Sequence, residues 1–142
     1  MYSVFKDSEQ NTIAKYYSTK YTKQYDPIDP LRITSKDMES ALKIFNLVRN
    51  QCAHDERLYN SDYKNIRVSN LANYFEITNY NNRRIIVAIL YFKALLNKSH
   101  YKKFHLELIT IFNKYSNEFH TVNFCEILNI MGIDLQELDK LK

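Results

Sequence analysis

Apolar residues recur every three or four positions along most of the chain, which is the spacing of an amphipathic helix. The first helix is predicted to start at Ser8, ahead of Glu9 and Gln10, because acidic and polar groups suit the amide end of a helix. It is expected to run to about Tyr21 and to end before residues 26–30, where two prolines disfavour helix. Its predicted buried residues are Ile13, Ala14 and Tyr17.

A second helix is predicted to follow Thr34. This residue stands three positions before Asp37, as in a capping box, where each side chain bonds to the backbone N–H of the other residue. The apolar series beyond it, at helical spacing, is Met38, Ala41, Leu42, Phe45, Val48 and Cys52. This helix is the best-defined element of the sequence.

Residues 60–82 are polar and contain seven asparagines, a density that favours loops and short turns. Within this stretch, the apolar residues between Ile66 and Phe75 fit either a short helix or a hairpin, and their periodicity does not decide between the two.

Three further helices are predicted after this stretch. Arg83–Asn97 is apolar nearly all round, which is typical of a helix in the middle of a bundle. Tyr101–Phe119 is amphipathic, and Phe124–Met131 stops at Gly132, where a helix end favours a left-handed residue. A last turn over Asp134–Leu141 has Asp134 as its cap. The predicted buried residues of the amphipathic helix are Phe104, Leu108, Ile111, Phe112 and Tyr115.

The composition supports an all-α fold, a compact bundle of about five helices in a single domain over residues 1–142. One Gly and two Pro among 142 residues are too few for the turns of a many-stranded β-fold, and a lone glycine cannot build a phosphate-binding glycine loop. The longest apolar run, residues 85–92, is too short to cross a bilayer, and no signal peptide is recognisable. We therefore expect a cytoplasmic protein with no membrane partner.

The charge and cysteine content narrow the candidate chemistry further. A net charge of +4 permits a polyanionic partner without requiring one. Cys52 and Cys125 form neither a disulfide framework nor a paired metal-ligand spacing, so we expect free thiols, no metal site and no cofactor.

The end of the second predicted helix carries an unusual set of polar residues. Asn50, His54 and Arg57 fall at positions i, i+4 and i+7, and so form one polar stripe. Arg49 lies about 140° away from His54 around an ideal helix, too far for both to reach one small group without a bend. Two copies around a two-fold axis would bring these side chains to a shared cleft. The alternative is an ordinary solvated face, with contacts between Arg49 and Glu56 and between His54 and Arg57.

The end of the second predicted helix and the residues after it read Arg49-Asn50, then Cys52-Ala53-His54, then Arg57-Leu58-Tyr59-Asn60. This string resembles the abortive-infection Abi family (AbiD/AbiF type). The family carries a HEPN domain with an R-x4-6-H motif, which reads Arg49-x4-His54 here. Residues 7–17 and 127–133 resemble the family's upstream helix and closing segment. Two features depart from the family pattern: Asp55 stands where a second histidine is usual, and the chain resembles only the family's C-terminal half.

The resemblance implies an all-α HEPN domain that dimerises and cleaves RNA without a metal ion. His54 would act as general base or acid on the ribose 2′-hydroxyl, and Arg49 would hold the scissile phosphate. Asn50 would orient the imidazole or bond a phosphate. The implied protein is a toxin-like endoribonuclease of phage defence, which leaves 2′,3′-cyclic phosphate ends and has an antitoxin or a regulatory RNA as a possible further partner.

A second basic region lies later in the chain. Lys98, Lys102 and Lys103, interleaved with aromatic residues, would contact RNA together with Arg57, although a plain helix face explains the same pattern. Two other functions fit the sequence as well. One is a non-catalytic RNA- or protein-binding HEPN module that regulates a separate effector, and the other is a plain dimerisation module.

Overall fold

The computed structural model describes residues 5–142, and these residues form seven α-helices and no strand. The all-α class predicted from the sequence is confirmed. Five of the helices have seven or more residues, and two are short. In chain order the helices are α1 Asp7–Tyr25, α2 Ser35–Ala53, α3 Ser69–Tyr74, α4 Ile86–Leu95, α5 Lys98–Ser116, α6 Phe124–Ile130 and α7 Leu135–Asp139. None of these helices is long and apolar enough to cross a membrane.

Helix α1 runs four residues beyond its predicted end at Tyr21. Its start is capped as the acidic first turn indicates, because a Glu9 carboxylate oxygen accepts a hydrogen bond from the backbone N–H of Lys6 at 2.8 Å. The added turn is stabilised by a tertiary contact, because Tyr21 is buried and the edge of its ring packs against that of Tyr74 on α3, with centroids 5.9 Å apart. Asp26 ends the helix in the left-handed conformation.

Helix α2 has the predicted capping box. The Asp37 backbone N–H donates to Thr34 Oγ1 at 3.2 Å, and the Thr34 backbone N–H donates to Asp37 Oδ2 at 2.9 Å. The predicted buried series is wrong at two positions, because Leu42 and Cys52 are both exposed. The buried side of α2 is turned toward α1 and α4, and it includes Ile44, which the predicted series omits.

The asparagine-rich stretch contains one short helix, α3, so the helix rather than the hairpin is present. The chain ahead of α3 is irregular, but Tyr63, Ile66 and Val68 are buried and fix it to the core. Asn70 on α3 donates one hydrogen bond to Arg32 O at 2.8 Å and another to Asp37 Oδ2 at 3.0 Å. The stretch is thereby tied to the start of α2.

Helix α4 lies at the centre of the bundle, as its apolar sequence predicts, and packs against α1, α2, α3 and α5. It begins at Ile86 rather than at Arg83. The two arginines ahead of it are used elsewhere: Arg83 pairs with Asp62, and Arg84 donates to backbone carbonyls of residues 60 and 61.

Helix α5 is amphipathic as predicted, but it starts three residues earlier, and two of its predicted buried residues are wrong. Ile111 is 50% exposed and Tyr115 is 41% exposed, whereas Phe112 is buried. The reason is length. At about 1.5 Å per residue, the 19 residues of α5 extend far past the 10 residues of α4, so the second half of α5 has little core to cover it.

Gly132 and Asp134 have the roles predicted for them. Gly132 adopts a left-handed φ of 70°, and a Cβ atom there would lie 2.6 Å from Arg84 Cβ, so a larger residue does not fit. Asp134 caps α7 by accepting a hydrogen bond from the Gln136 backbone N–H at 2.8 Å.

We expect Glu137 to make stability depend on pH. Burial by itself would raise the pKa of Glu137, but hydrogen bonds from Lys140, Thr78 and Asn79 outweigh it and hold that pKa below its usual value of 4.5. The stability from these bonds is therefore fully present above pH 4.5 and is lost as the pH falls through the lower folded-state pKa. Urea unfolding of wild type and Glu137→Gln between pH 7 and pH 3 measures this. The stability difference between the two proteins should shrink at low pH, and a constant difference would contradict the assignment.

Candidate functional site

The C-terminal end of α2 carries the residues of the R-x4-H motif. Arg49, Asn50 and His54 are all exposed there. His54 is the C-cap of the helix, and Asp55 comes next in the left-handed conformation with φ 52°. The Glu56 backbone N–H donates to Gln51 O at 2.9 Å, the bond that closes a Schellman-type helix end. The chain therefore turns away directly after His54 and leaves its imidazole at the tip of the helix.

Gln51 ties the loop after His54 back to the helix. Its side-chain oxygen accepts from Tyr63 OH at 2.6 Å, and its amide donates to Ser61 Oγ at 2.8 Å. Ser61 Oγ in turn donates to Arg57 O at 2.9 Å. This chain of hydrogen bonds holds residues 57–63 in one position relative to the motif.

A second anchor comes from the two arginines before α4. Arg84 Nη1 donates to Asn60 O at 2.7 Å and to Ser61 O at 2.9 Å. The hydrogen bond from Arg83 holds the pKa of Asp62 below its usual value, since it favours the charged carboxylate. Gln51 and Arg84 were not predicted from the sequence as supports of the motif. The sequence carries one signal for each of them: Gln51 lies inside the motif, and Arg84 lies just before α4, the most apolar helix.

Asn50 contacts Arg49 and not His54. Arg49 Nη2 donates to Asn50 Oδ1 at 3.0 Å, and no side-chain hydrogen bond joins Asn50 to His54 in this structure. On the helix surface Asn50 lies between the other two residues, so this bond turns the guanidinium toward the histidine side. Within residues 5–142, neither His54 nor Arg57 makes a side-chain hydrogen bond or ion pair. The Arg49–Glu56 and His54–Arg57 contacts of an ordinary solvated face are absent from this part of the chain.

The exposed side of α2 combines the motif with apolar residues. Leu42 is 43% exposed, and Leu47 is 37% exposed. At about 100° per residue, Leu42 and Arg49 lie near one edge of this exposed side, and Leu47 and His54 lie near the other. We call this surface the α2 face, and it is formed by Leu42, Leu47, Arg49, Asn50 and His54.

The second basic region lies at the other end of α4. Tyr63 N–H donates to Arg83 O at 2.8 Å, which places the motif beside the start of α4. In contrast, the Lys98 backbone N–H donates to the Gln24 side chain at 2.6 Å, beside the C-terminal end of α1. The structure therefore does not bring Lys98, Lys102 and Lys103 to the Arg49–His54 end, whereas Arg57 lies there.

The first part of the chain, which includes the motif, matches a known protein family. Residues 1–60 match the model of the Abi-like protein family. The match covers 60 of the 142 residues. It includes α1, α2 and the stretch through Asn60, and it confirms the resemblance of residues 7–17 and 49–60 to the Abi family.

The Abi-like match does not extend over the rest of the chain. Residues 127–133, which resemble the closing segment of the Abi family, lie outside the matched range. Searches of curated proteins and of solved structures found no match to the chain. Within residues 5–142, no three His, Cys, Asp or Glu side chains are grouped as metal ligands.

Proposed function

We propose that this protein is a metal-independent HEPN-type endoribonuclease, a toxin of abortive infection whose active site lies in a cleft between two copies of the chain. The observation that carries the proposal is the geometry of the motif within the Abi-like segment. His54 and Arg49 are exposed on one helix end, and the imidazole has no side-chain partner within residues 5–142. The loop behind them is held by Gln51 and Arg84, as a site that must keep its shape requires.

The two motif residues suit the two tasks of RNA cleavage by internal transfer. His54 takes the proton from the ribose 2′-hydroxyl, and the 2′-oxygen then attacks the adjacent phosphorus. The bond from phosphorus to the 5′-oxygen breaks, and a proton is returned to that oxygen. Arg49 binds the phosphate oxygens through its planar fork as negative charge grows on them. The products are a 2′,3′-cyclic phosphate and a 5′-hydroxyl end.

A second copy of the chain would supply the arginine or the histidine that a single helix cannot aim at the same phosphate. Arg49 and His54 are about 140° apart around α2, so one helix does not aim both at the same phosphate. If two α2 faces meet around a two-fold axis, Arg49 of one copy approaches His54 of the other. Leu42 and Leu47 then become buried at the contact, which gives the association an apolar contribution.

The direct test is RNA cleavage by the purified protein in EDTA, with mass analysis of the fragment ends. Cyclic phosphate and 5′-hydroxyl ends are the expected result. Analytical ultracentrifugation of the same sample should show a dimer. Fragments with 5′-phosphate ends, or activity that disappears in EDTA, would overturn the proposed chemistry.

A mixing experiment tests whether the site is shared between two copies. His54→Ala and Arg49→Ala proteins are each expected to be inactive. When they are mixed and allowed to exchange, a mixed dimer has one site with both residues intact, and random pairing then restores about a quarter of the wild-type rate. If the two residues instead act within one copy, the mixture stays inactive. The recovery therefore distinguishes a composite cleft from a site on a single helix.

Arg49→Lys should also lose most of the activity. A lysine keeps the charge but cannot bind two phosphate oxygens through a planar fork, so we expect the cleavage rate to fall by about tenfold or more. Arg32→Lys is the matched control, because Arg32 is exposed ahead of α2 and lies outside the motif. If both variants cleave RNA at the wild-type rate, Arg49 does not hold the phosphate.

One observation favours the alternative of a non-catalytic HEPN module that binds RNA or protein and regulates a separate effector. Asp55 and Glu56 are exposed beside His54, and their negative charges repel a phosphate at the imidazole, which disfavours cleavage there but leaves Arg57 exposed to bind a partner. Tight RNA binding in a gel-shift assay, together with no cleavage, would favour this alternative. In that case Arg57→Ala should weaken binding and increase its tolerance of salt.

A further inference from the structure

A basic cavity lies at the end of the bundle opposite the motif. It has a volume of about 430 Å³ and lies where the ends of α1 and α4 meet the start of α5. Its lining residues are Tyr25, Lys93, Lys98, Tyr101, Lys102, His105, Leu106 and Lys142. Four of these residues are lysines, and none has an acidic side chain. The lining therefore carries an excess of positive charge.

Lys93 is the buried cation of this cavity, with only 5% of its surface exposed. Its ammonium group donates to Lys142 O at 2.7 Å and lies 4.4 Å from the centre of the Tyr25 ring. It also lies 4.8 Å from the centre of the Tyr101 ring. These contacts hold the ammonium between two aromatic faces. Lys142 is paired through its own ammonium with Asp139, so the uncompensated positive charge of the lining comes from Lys93, Lys98 and Lys102.

Two hydroxyl groups in the same lining have no partner. The OH groups of Tyr25 and Tyr101 are both buried, and neither makes a hydrogen bond in this structure. Tyr101 as a whole is only 1% exposed. A buried hydroxyl without a partner is costly, and it is therefore a signal of a ligand that supplies the acceptor. His105 is different, because its Nε2 is already within hydrogen-bond distance of Leu138 O, at 3.1 Å.

We propose that this cavity binds the phosphate monoester of an organic ligand, with the phosphate beside Lys93 and the two tyrosine hydroxyls. A phosphate monoester carries close to two negative charges at pH 7, which suits several lysines better than the single charge of a carboxylate. Its oxygens accept hydrogen bonds from donors such as these ammonium and hydroxyl groups. Leu106 and the tyrosine rings provide an apolar wall for the rest of the ligand. The cavity is also within the size range of small-molecule sites.

The protonation of Lys93 gives this site a pH dependence. Burial and the nearby charge of Lys98 lower the pKa of Lys93 to about 8. The titratable or charged groups that line the cavity around it are Tyr25 from α1, Lys98, Tyr101, Lys102 and His105 from α5, and Lys142. Because the phosphate binds the protonated ammonium, affinity should fall as the pH rises through about 8.

Isothermal titration calorimetry tests the proposal. The ligands are adenosine 5′-monophosphate and, as its uncharged counterpart, adenosine. The monophosphate should bind and adenosine should not. Lys93→Met should weaken binding by about tenfold or more and remove most of its pH dependence, because it deletes the charged donor. Tyr101→Phe, which preserves the ring, should also weaken binding. Lys114→Met is the matched control, since Lys114 is an exposed lysine in the last turn of α5 and lies outside the lining.

A second pair of probes distinguishes a free nucleotide from the end of an RNA strand. A short RNA with a 5′-phosphate is compared with the same RNA bearing a 5′-hydroxyl, both on His54→Ala protein so that cleavage does not intervene. If the phosphorylated strand binds more tightly than the monophosphate, and if Lys93→Met loses this tighter binding, the ligand is the end of an RNA strand. Preference for the monophosphate would identify a free nucleotide. Equal binding of adenosine and its monophosphate, or wild-type affinity in both Lys93→Met and Tyr101→Phe, would overturn the site whatever the outcome at the motif.

Discussion

His54→Ala should lower the rate of RNA cleavage by about a hundredfold or more, because a positioned general acid or base contributes at least that factor. Its effect on folding should be small. His54 is exposed at the tip of α2, and its side chain makes no hydrogen bond or ion pair within residues 5–142. The backbone N–H of residue 54, which donates to Asn50 O at 3.1 Å, is unaffected by the change. Cleavage of a labelled RNA, together with thermal unfolding of both proteins, measures the two effects.

His120→Ala is the control for this prediction. His120 is also exposed, but it lies in the turn between α5 and α6, outside the motif. The control variant should cleave RNA like the wild type. Full activity of the His54→Ala protein would show that the imidazole has no part in the chemistry. Unfolding of that protein would instead show that His54 has a structural role.

Asp37→Ala should reduce the free energy of unfolding by about 3 kcal/mol, since it removes a helix cap and the acceptor of several buried donors. Asp37 is fully buried. One oxygen of its carboxylate accepts from Thr34 N–H at 2.9 Å, Thr34 Oγ1 at 2.7 Å and Asn70 Nδ2 at 3.0 Å. The other oxygen lies 3.8 Å from Arg67 Nε. Equilibrium unfolding in urea measures the loss.

Two further variants separate the causes of this loss. Asp37→Asn keeps an acceptor oxygen for Thr34 and Asn70 but removes the charge, so it should cost less than the alanine change. Glu39→Ala lies on the same turn of α2 but is exposed, and it should change stability by less than about 0.5 kcal/mol. If Asp37→Ala is as stable as Glu39→Ala, the hydrogen bonds at the start of α2 contribute little.

The helical fold could be predicted well where the signal was local. Thr34 and Asp37 cap α2 as their spacing indicates, and Gly132 adopts the left-handed conformation expected at a helix end. Both signals involve residues within a few positions of each other, and the local backbone is sufficient to satisfy them. The predictions for Leu42 and Ile111 were wrong for the opposite reason. Helical periodicity gives the side of the helix on which a residue lies, but only the length and position of neighbouring helices decide whether that side is covered.

For the candidate site too, the local sequence pattern could be predicted, whereas the side-chain contacts could not. The R-x4-H motif was recognisable in the sequence, and the Abi-like match at residues 1–60 agrees with it. The bond from Arg49 to Asn50 was not predictable, because both side chains have several rotamers that a helix allows. Gln51 and Arg84 were missed because their partners at Ser61, Tyr63 and Asn60 belong to a loop whose path the sequence does not specify.

Spacing along single segments was enough to establish that this protein is helical, where α2 begins, and that arginine, asparagine and histidine lie near the end of α2. The packed bundle was needed to show that His54 stands at a helix tip and that the loop after it is anchored by Arg84, from a segment farther along the chain. It was also needed to show that the single lysine within α4 is buried between the rings of two tyrosines whose hydroxyls have no partner. Burial and hydrogen-bond partners depend on segments far apart in the chain, and these segments meet only when the helices pack.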